Sequence, residues 1–260
     1  MTASQSTSQA SSQATDIDHY IIRLADDALV LGQRLSEWTS NGPTLEEDIA
    51  MSNIALDFLG RARMLYAYTA ERTNTTEDAL AFLRGVREYT NLLICELPRG
   101  DYAFTTVRQY FIDCFDVLYF EALCQSNDNQ LAAIAAKTLK ESRYHKRRSH
   151  DLMVRLGDGT QESKARMQAA LNELWGYRHE MFMMDELESS LALKHIAVDR
   201  NKLESEWSNQ ILVCLNEAGL HVPETDWQVS GGRQGVHSEH LGPMLDEMQC
   251  LHRSHPGVIW

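Results

Sequence analysis

The sequence predicts an all-α fold built on a bundle of long helices, and three observations predict it. Apolar residues recur at spacings of three and four rather than two. With 14 Gly and 5 Pro in 260 residues, long stretches run without punctuation. Capping residues stand where the apolar stripes begin, and glycines stand where several of them end.

The first helix is expected from about Asp18 to Trp38, because Tyr20, Leu24, Leu31, Leu35 and Trp38 share one stripe while Arg23, Asp27 and Arg34 fall largely off it. Asn41, Gly42 and Pro43 end it. Thr44, with Glu47 three residues on, is a capping box that opens a second helix reaching roughly Arg72. Ile49, Met51, Ile54, Leu56, Phe58, Leu59, Met64 and Leu65 surround most of its circumference, so it is expected to be central and buried on most sides. Residues 74–100 read as one short helix and a loop closing at Pro98 and Gly100.

A third long helix follows from about Phe104 to Gln125, and a fourth from Asn129, as N-cap, to Leu156, where Gly157, Asp158 and Gly159 stop it. Four long helices in so short a span make a bundle. Thr160 can cap a fifth helix to about His195, and Asp199 a sixth to about Glu217. A loop from Pro223 to Gly235 precedes a last helix from about Ser238 to His252. Residues 16–260 form one domain on this reading, and the Ser- and Gln-rich residues 1–15 a disordered tail.

Composition narrows the function. The 37 acidic against 24 basic residues leave a net charge of −13, which repels nucleic acid and anionic membrane. No apolar run approaches the ~20 residues of a bilayer span, and no signal peptide is visible, so the chain is expected in the cytoplasm. Five scattered cysteines without a Cys-x-x-Cys read as small core residues.

A long bundle invites a test for the di-iron carboxylate pattern, which needs a Glu on two helices and Glu-x-x-His on the other two. None of the ten histidines has a Glu three residues before it. Degenerate positions remain: Asp57 is followed at the third place by Gly60, Glu141 by Tyr144, and His145 stands one residue late. The first helix offers no carboxylate between Ala28 and Leu35. The plainer reading is a buried polar network of Asp57, Asn53 and Glu141 with Arg34, Arg61 or His145, the last as an i,i+4 partner of Glu141.

Other features read blandly. His237 and His240 could share a metal, yet Ser238 and Glu239 beside them are ordinary first-turn residues. Gly231, Gly232 and Gly235 flank Arg233 and Gln234 without the lysine of a phosphate loop. Lys137, Lys140, Arg143, Lys146, Arg147 and Arg148 form a dense basic face, which either meets an anionic partner or is simply solvated. No Ser-His-Asp set or nucleophile elbow is present.

Five runs carry a resemblance: RLADDALVLGQRLSEW from Arg23, NIALDFLGRAR from Asn53, YTNLLICELPRGDYAFTTVRQYFID from Tyr89, LAAIAAKTLKESRYH from Leu131 and GVHSEHLGPMLDEMQCL from Gly235. Matched in order, they resemble the C-subunit family of bacterial phenylacetyl-CoA 1,2-epoxidases. The resemblance implies a ferritin-like bundle with additional C-terminal helices and a non-catalytic role. It implies no cofactor in this chain and a di-iron centre in a catalytic A-type partner, which oxidises the ring of phenylacetyl-CoA. It further implies small and reductase subunits in the same system, and a place near the CoA substrate for Tyr89, Thr90 and Asn91. An obligate, rather apolar interface is then expected, with the second and third long helices as its natural candidates. Two other readings stay open: an independent metalloprotein using Glu141, His145, Asp57 and His237 or His240, and a scaffold for an unrelated partner.

Overall fold

The structure is a computed structural model that describes the backbone of residues 3–258 and side chains from residue 16 to 258. Of residues 1–15, expected as a disordered tail, the side chains lie outside the described residues, while the backbone from Ala3 onward is part of the first helix. Ten α-helices occur among the described residues: α1 (Ala3–Ser36), α2 (Leu45–Thr73), α3 (Glu77–Phe82), α4 (Leu93–Glu96), α5 (Tyr102–Leu123), α6 (Asn129–Gly157), α7 (Gln161–Leu174), α8 (Glu186–Leu193), α9 (Glu204–Glu217) and α10 (Leu241–Ser254). No strand occurs among these residues, and none of their helices is long and apolar enough to cross a membrane.

The bundle consists of α1 packed along α2 and α5 packed along α6, with α7 and α9 laid against the second pair. Gly32 lets α1 and α2 approach closely, since a Cβ there would sit 3.1–3.2 Å from Leu59 and Phe58. Antiparallel α2 and α6 are tied at one end by Glu47 with Arg148 and at the other by Tyr68 with Asp128.

Caps fix the helix starts. Thr44 accepts from the Glu47 N–H, Asp101 from Phe104, and Thr160 from Ser163. The Glu47 carboxylate does not complete its capping box, because it accepts from the Tyr102 hydroxyl and Arg148 instead. The cap of α6 is Asp128, one residue before the expected Asn129.

Two expectations need correction. The central helix is α5, in which every residue from Ala103 to Asp116 is buried, whereas α2 leaves Leu45, Ile49 and Leu56 exposed along one face. The single helix expected over 160–195 is broken: α7 stops at Leu174, a 3₁₀ turn spans Trp175–Met181, and Asp185 caps a separate α8. Gly176 explains the break, because Trp227 packs so closely on it that a Cβ would lie 2.3 Å from the indole ring. The 74–100 stretch likewise holds two short helices and a 3₁₀ turn rather than one helix.

Candidate functional site

Two buried polar clusters dominate the interior. The first lies in the middle of the bundle, where Phe58 and Arg61 of α2, Asp113 and Asp116 of α5, and Ser142 and His145 of α6 all point inward. Arg61 Nη1 donates to Asp116 Oδ2 at 2.5 Å and its Nη2 to Ser142 Oγ at 3.2 Å. The guanidinium carbon sits 4.4 Å from the Phe58 ring centre and 4.7 Å from that of Phe120. One side chain thus links three helices.

Around it, Asp113 accepts from Gln109 at 2.6 Å, and burial pushes its carboxyl up to about 7. Burial also raises Asp116, against the pull of Arg61. His145 is fully buried, stacks on Phe58, and uses Nε2 to bond Asp57 at 2.9 Å. Burial lowers its pKa, which keeps the imidazole neutral and makes Nε2–H the donor.

Of the degenerate positions, only Asp57 and His145 meet. Gly60 is exposed, with open space where a Cβ would stand, and Tyr144 points out at 49% exposure. Glu141 is half-buried, its carboxyl raised by burial and by Asp57. The partner of His145 is Asp57 rather than Glu141, and Arg34 lies elsewhere, bonded to Glu37 and to the carbonyls of Glu96 and His240. The inward frame is one residue from that of the sequence: Phe58-x-x-Arg61 and Ser142-x-x-His145 are the buried i,i+3 pairs. A di-iron centre does not fit these residues, since two carboxylate places hold Phe and Ser and one imidazole place holds Arg. Among the described residues no three His, Cys, Asp or Glu side chains are grouped to hold a metal.

The second cluster fastens the C-terminal segment to residues 84–97. Asp26 accepts from Tyr66, Arg84, and both the N–H and hydroxyl of Thr90. Asp27 accepts from Leu92 N–H at 2.6 Å and from Arg233 at 2.7 Å, while Arg233 also donates to the Thr90 carbonyl at 2.6 Å. Glu96 takes Asn91, His237 and the Ser238 N–H. Glu180 takes the N–H groups of Leu93, Gly231 and Gly232. Arg23, Asp185, Glu188 and Arg200 extend the network.

Tyr89 and Asn91 are completely buried in it, and the Tyr89 hydroxyl donates to the Ala81 carbonyl. The Gly231–Gly235 stretch, unremarkable in sequence, fits so tightly that a Cβ on Gly232 would lie 2.0 Å from the Asn91 carbonyl oxygen. Arg233 between those glycines is visible in the sequence; its partners Asp27 and Thr90, over 140 residues away, are not.

His237 is held by the protein through both ring nitrogens. Both ring nitrogens face acceptors, Glu96 Oε2 at 2.7 Å and the Tyr89 carbonyl at 2.8 Å, so full bonding requires the imidazolium. Its pKa is raised: burial opposes the charge, but Glu96, the Tyr89 carbonyl and Asp26 outweigh it. The stabilisation is complete below the unfolded value of about 6.5 and is lost as pH rises through the higher folded value. Denaturant titrations of wild type and His237→Gln at several pH values are expected to differ most at low pH and to converge at high pH. A gap that does not change with pH contradicts the imidazolium.

On the outside, the basic face of α6 is partly paired: Arg143 bonds Glu121, Lys146 bonds Gln210, and Arg148 bonds Glu47. Tyr144 stands exposed on α6, and α2 exposes Leu45, Ile49 and Leu56. Because α5 is enclosed, α2 alone of the two helices expected at an interface offers an apolar face.

Over residues 1–260 the chain matches the family model described as phenylacetic acid catabolic protein. It is 48% identical to the C subunit of the 1,2-phenylacetyl-CoA epoxidase of Escherichia coli (strain K12), across 93% of this chain and 98% of that protein. With the A subunit of the same organism's epoxidase the identity is 23%, across 73% of this chain and 62% of that protein.

Proposed function

The chain belongs to the phenylacetic acid catabolic protein family, and we propose from that premise that it is the structural, non-catalytic subunit of a phenylacetyl-CoA epoxidase. The observation that carries this reading is the Arg61–Asp116 ion pair, which fills the middle of the bundle with a fixed cation. The di-iron centre belongs in an A-type partner, and further small and reductase subunits complete the system.

The chain's part is to bind that partner and hold it in its working shape, since anything that binds only the folded form stabilises it. The α2 face of Leu45, Ile49 and Leu56 supports the partner reading as an apolar patch left over from core packing. A CoA ester at the interface would meet the Tyr89–Asn91 segment through the partly exposed Thr90, since Tyr89 and Asn91 are buried and the backbone of Tyr89 and Thr90 bonds His237, Asp26 and Arg233.

Co-expression with an A-type partner tests this. With a reductase and phenylacetyl-CoA supplied, epoxidation is expected from the complex and none from this chain alone. The double variant Ile49→Asp, Leu56→Asp is expected to weaken association about 30-fold or more and to leave the melting temperature of the isolated chain nearly unchanged, because both side chains are exposed. Epoxidation by the chain alone overturns the proposal.

A further inference from the structure

Arg61 and His145 occupy equivalent places on facing helices, each the second member of a buried i,i+3 pair. His145 has the arrangement of a metal-ligating imidazole: its Nε2–H is held by a carboxylate, Asp57, and its Nδ1 is buried with no hydrogen-bond partner. A neutral imidazole anchored in this way presents a free lone pair to the bundle interior. Asp113 and Asp116, themselves i,i+3 on α5, bring two buried carboxyls to the same region.

We infer that Arg61 is the resident cation of this bundle and keeps divalent metal out by occupying both the place and the charge a metal would need. The place is taken because its guanidinium is bonded to Asp116 and Ser142 and enclosed between Phe58 and Phe120. The charge is taken because Asp116 is already neutralised at 2.5 Å. Asp113, Asp116, Glu141 and His145 all feel the field of Arg61. A second cation brought in beside a buried guanidinium would meet repulsion that little water screens. The inference deepens the non-catalytic reading but is tested on the isolated chain without partner or substrate, so failure of one is distinguishable from failure of the other.

The experiment is a titration of the purified full-length chain with Co²⁺, read by visible absorbance and by cobalt per chain after desalting. Wild type and Arg61→Lys are expected to retain no cobalt. Arg61→His, which places a second imidazole beside His145 and removes the permanent charge, is expected to retain about one equivalent. Adding His145→Ala to Arg61→His is expected to weaken that binding at least about 10-fold. Cobalt held by wild type through His145 overturns the inference, as does a folded Arg61→His chain that binds none. If Arg61→His fails to fold and cobalt does not restore folding, the inference is also overturned, because a metal then cannot stand in for the guanidinium.

Discussion

Replacing Gly232 by Ala is expected to lower the melting temperature by about 10 °C, from a loss of roughly 3–5 kcal/mol. The added methyl would sit 2.0 Å from the Asn91 carbonyl oxygen and 3.1 Å from its carbon, both backbone atoms that cannot swing aside. Relief requires the 231–235 loop to lift, which pulls Arg233 from Asp27 and the Gly231 and Gly232 N–H groups from Glu180. Buried carboxylates would then lose their donors, and breaking one such pair alone is worth several kcal/mol. Gly60→Ala is the control: it lies mid-helix with nothing within 4 Å of a Cβ, and is expected to be neutral or stabilising by up to about 1 kcal/mol. Equal melting temperatures for Gly232→Ala and wild type would contradict the tight docking of this loop.

Asp113→Asn is expected to stabilise the chain, and to do so more at pH 8 than at pH 5. Burial lifts the Asp113 carboxyl to about 7, while in the unfolded chain it titrates near 3.9. Between those values the folded state holds a proton that the unfolded state has released, so the contribution of Asp113 to stability falls as pH rises from about 4 to about 7. Integrated, the penalty is on the order of 4 kcal/mol above pH 7. An asparagine keeps an oxygen to accept from Gln109 and never ionises. Denaturant melts at the two pH values measure the gap; a variant equally stabilised at both would show that Asp113 does not titrate in this range.

The bundle is legible in the sequence where local chemistry fixes it. Thr44 and Thr160 cap their helices because each side chain needs only its own third neighbour. Burial is less legible. Apolar residues all round α2 suggest a central helix, yet periodicity cannot separate a face turned to the core from one left outside, as Ile49 and Leu56 are. Conversely, Arg108, Gln109, Asp113 and Asp116 make α5 look half-polar, although all four are buried. The interior cluster is half legible: Asp57, Arg61 and His145 stand out, but a search for Glu-x-x-His sets the frame one residue off. The clamp of Asp26, Asp27, Glu96 and Glu180 escapes sequence reasoning because each carboxylate gains its meaning from a partner far along the chain, which no local pattern signals.

The clamp also sets the order in which the chain can be completed during synthesis. Glu96 is bonded by His237, 141 positions later, and Asp27 by Arg233, 206 positions later. At about 5–20 residues per second, Glu96 emerges roughly 7–30 s before its last partner. Throughout that interval, Asp27 of α1 and Glu96 of the 84–97 segment lack those partners and must stay hydrated, so the place where they finally close remains open to water. The last thirty or so residues, α10 among them, are therefore not an appendage to a finished bundle. A nascent chain halted before Gly231 is expected to be degraded rather than stored, because Arg233, His237 and Ser238 carry the donors that let Asp27 and Glu96 become dry.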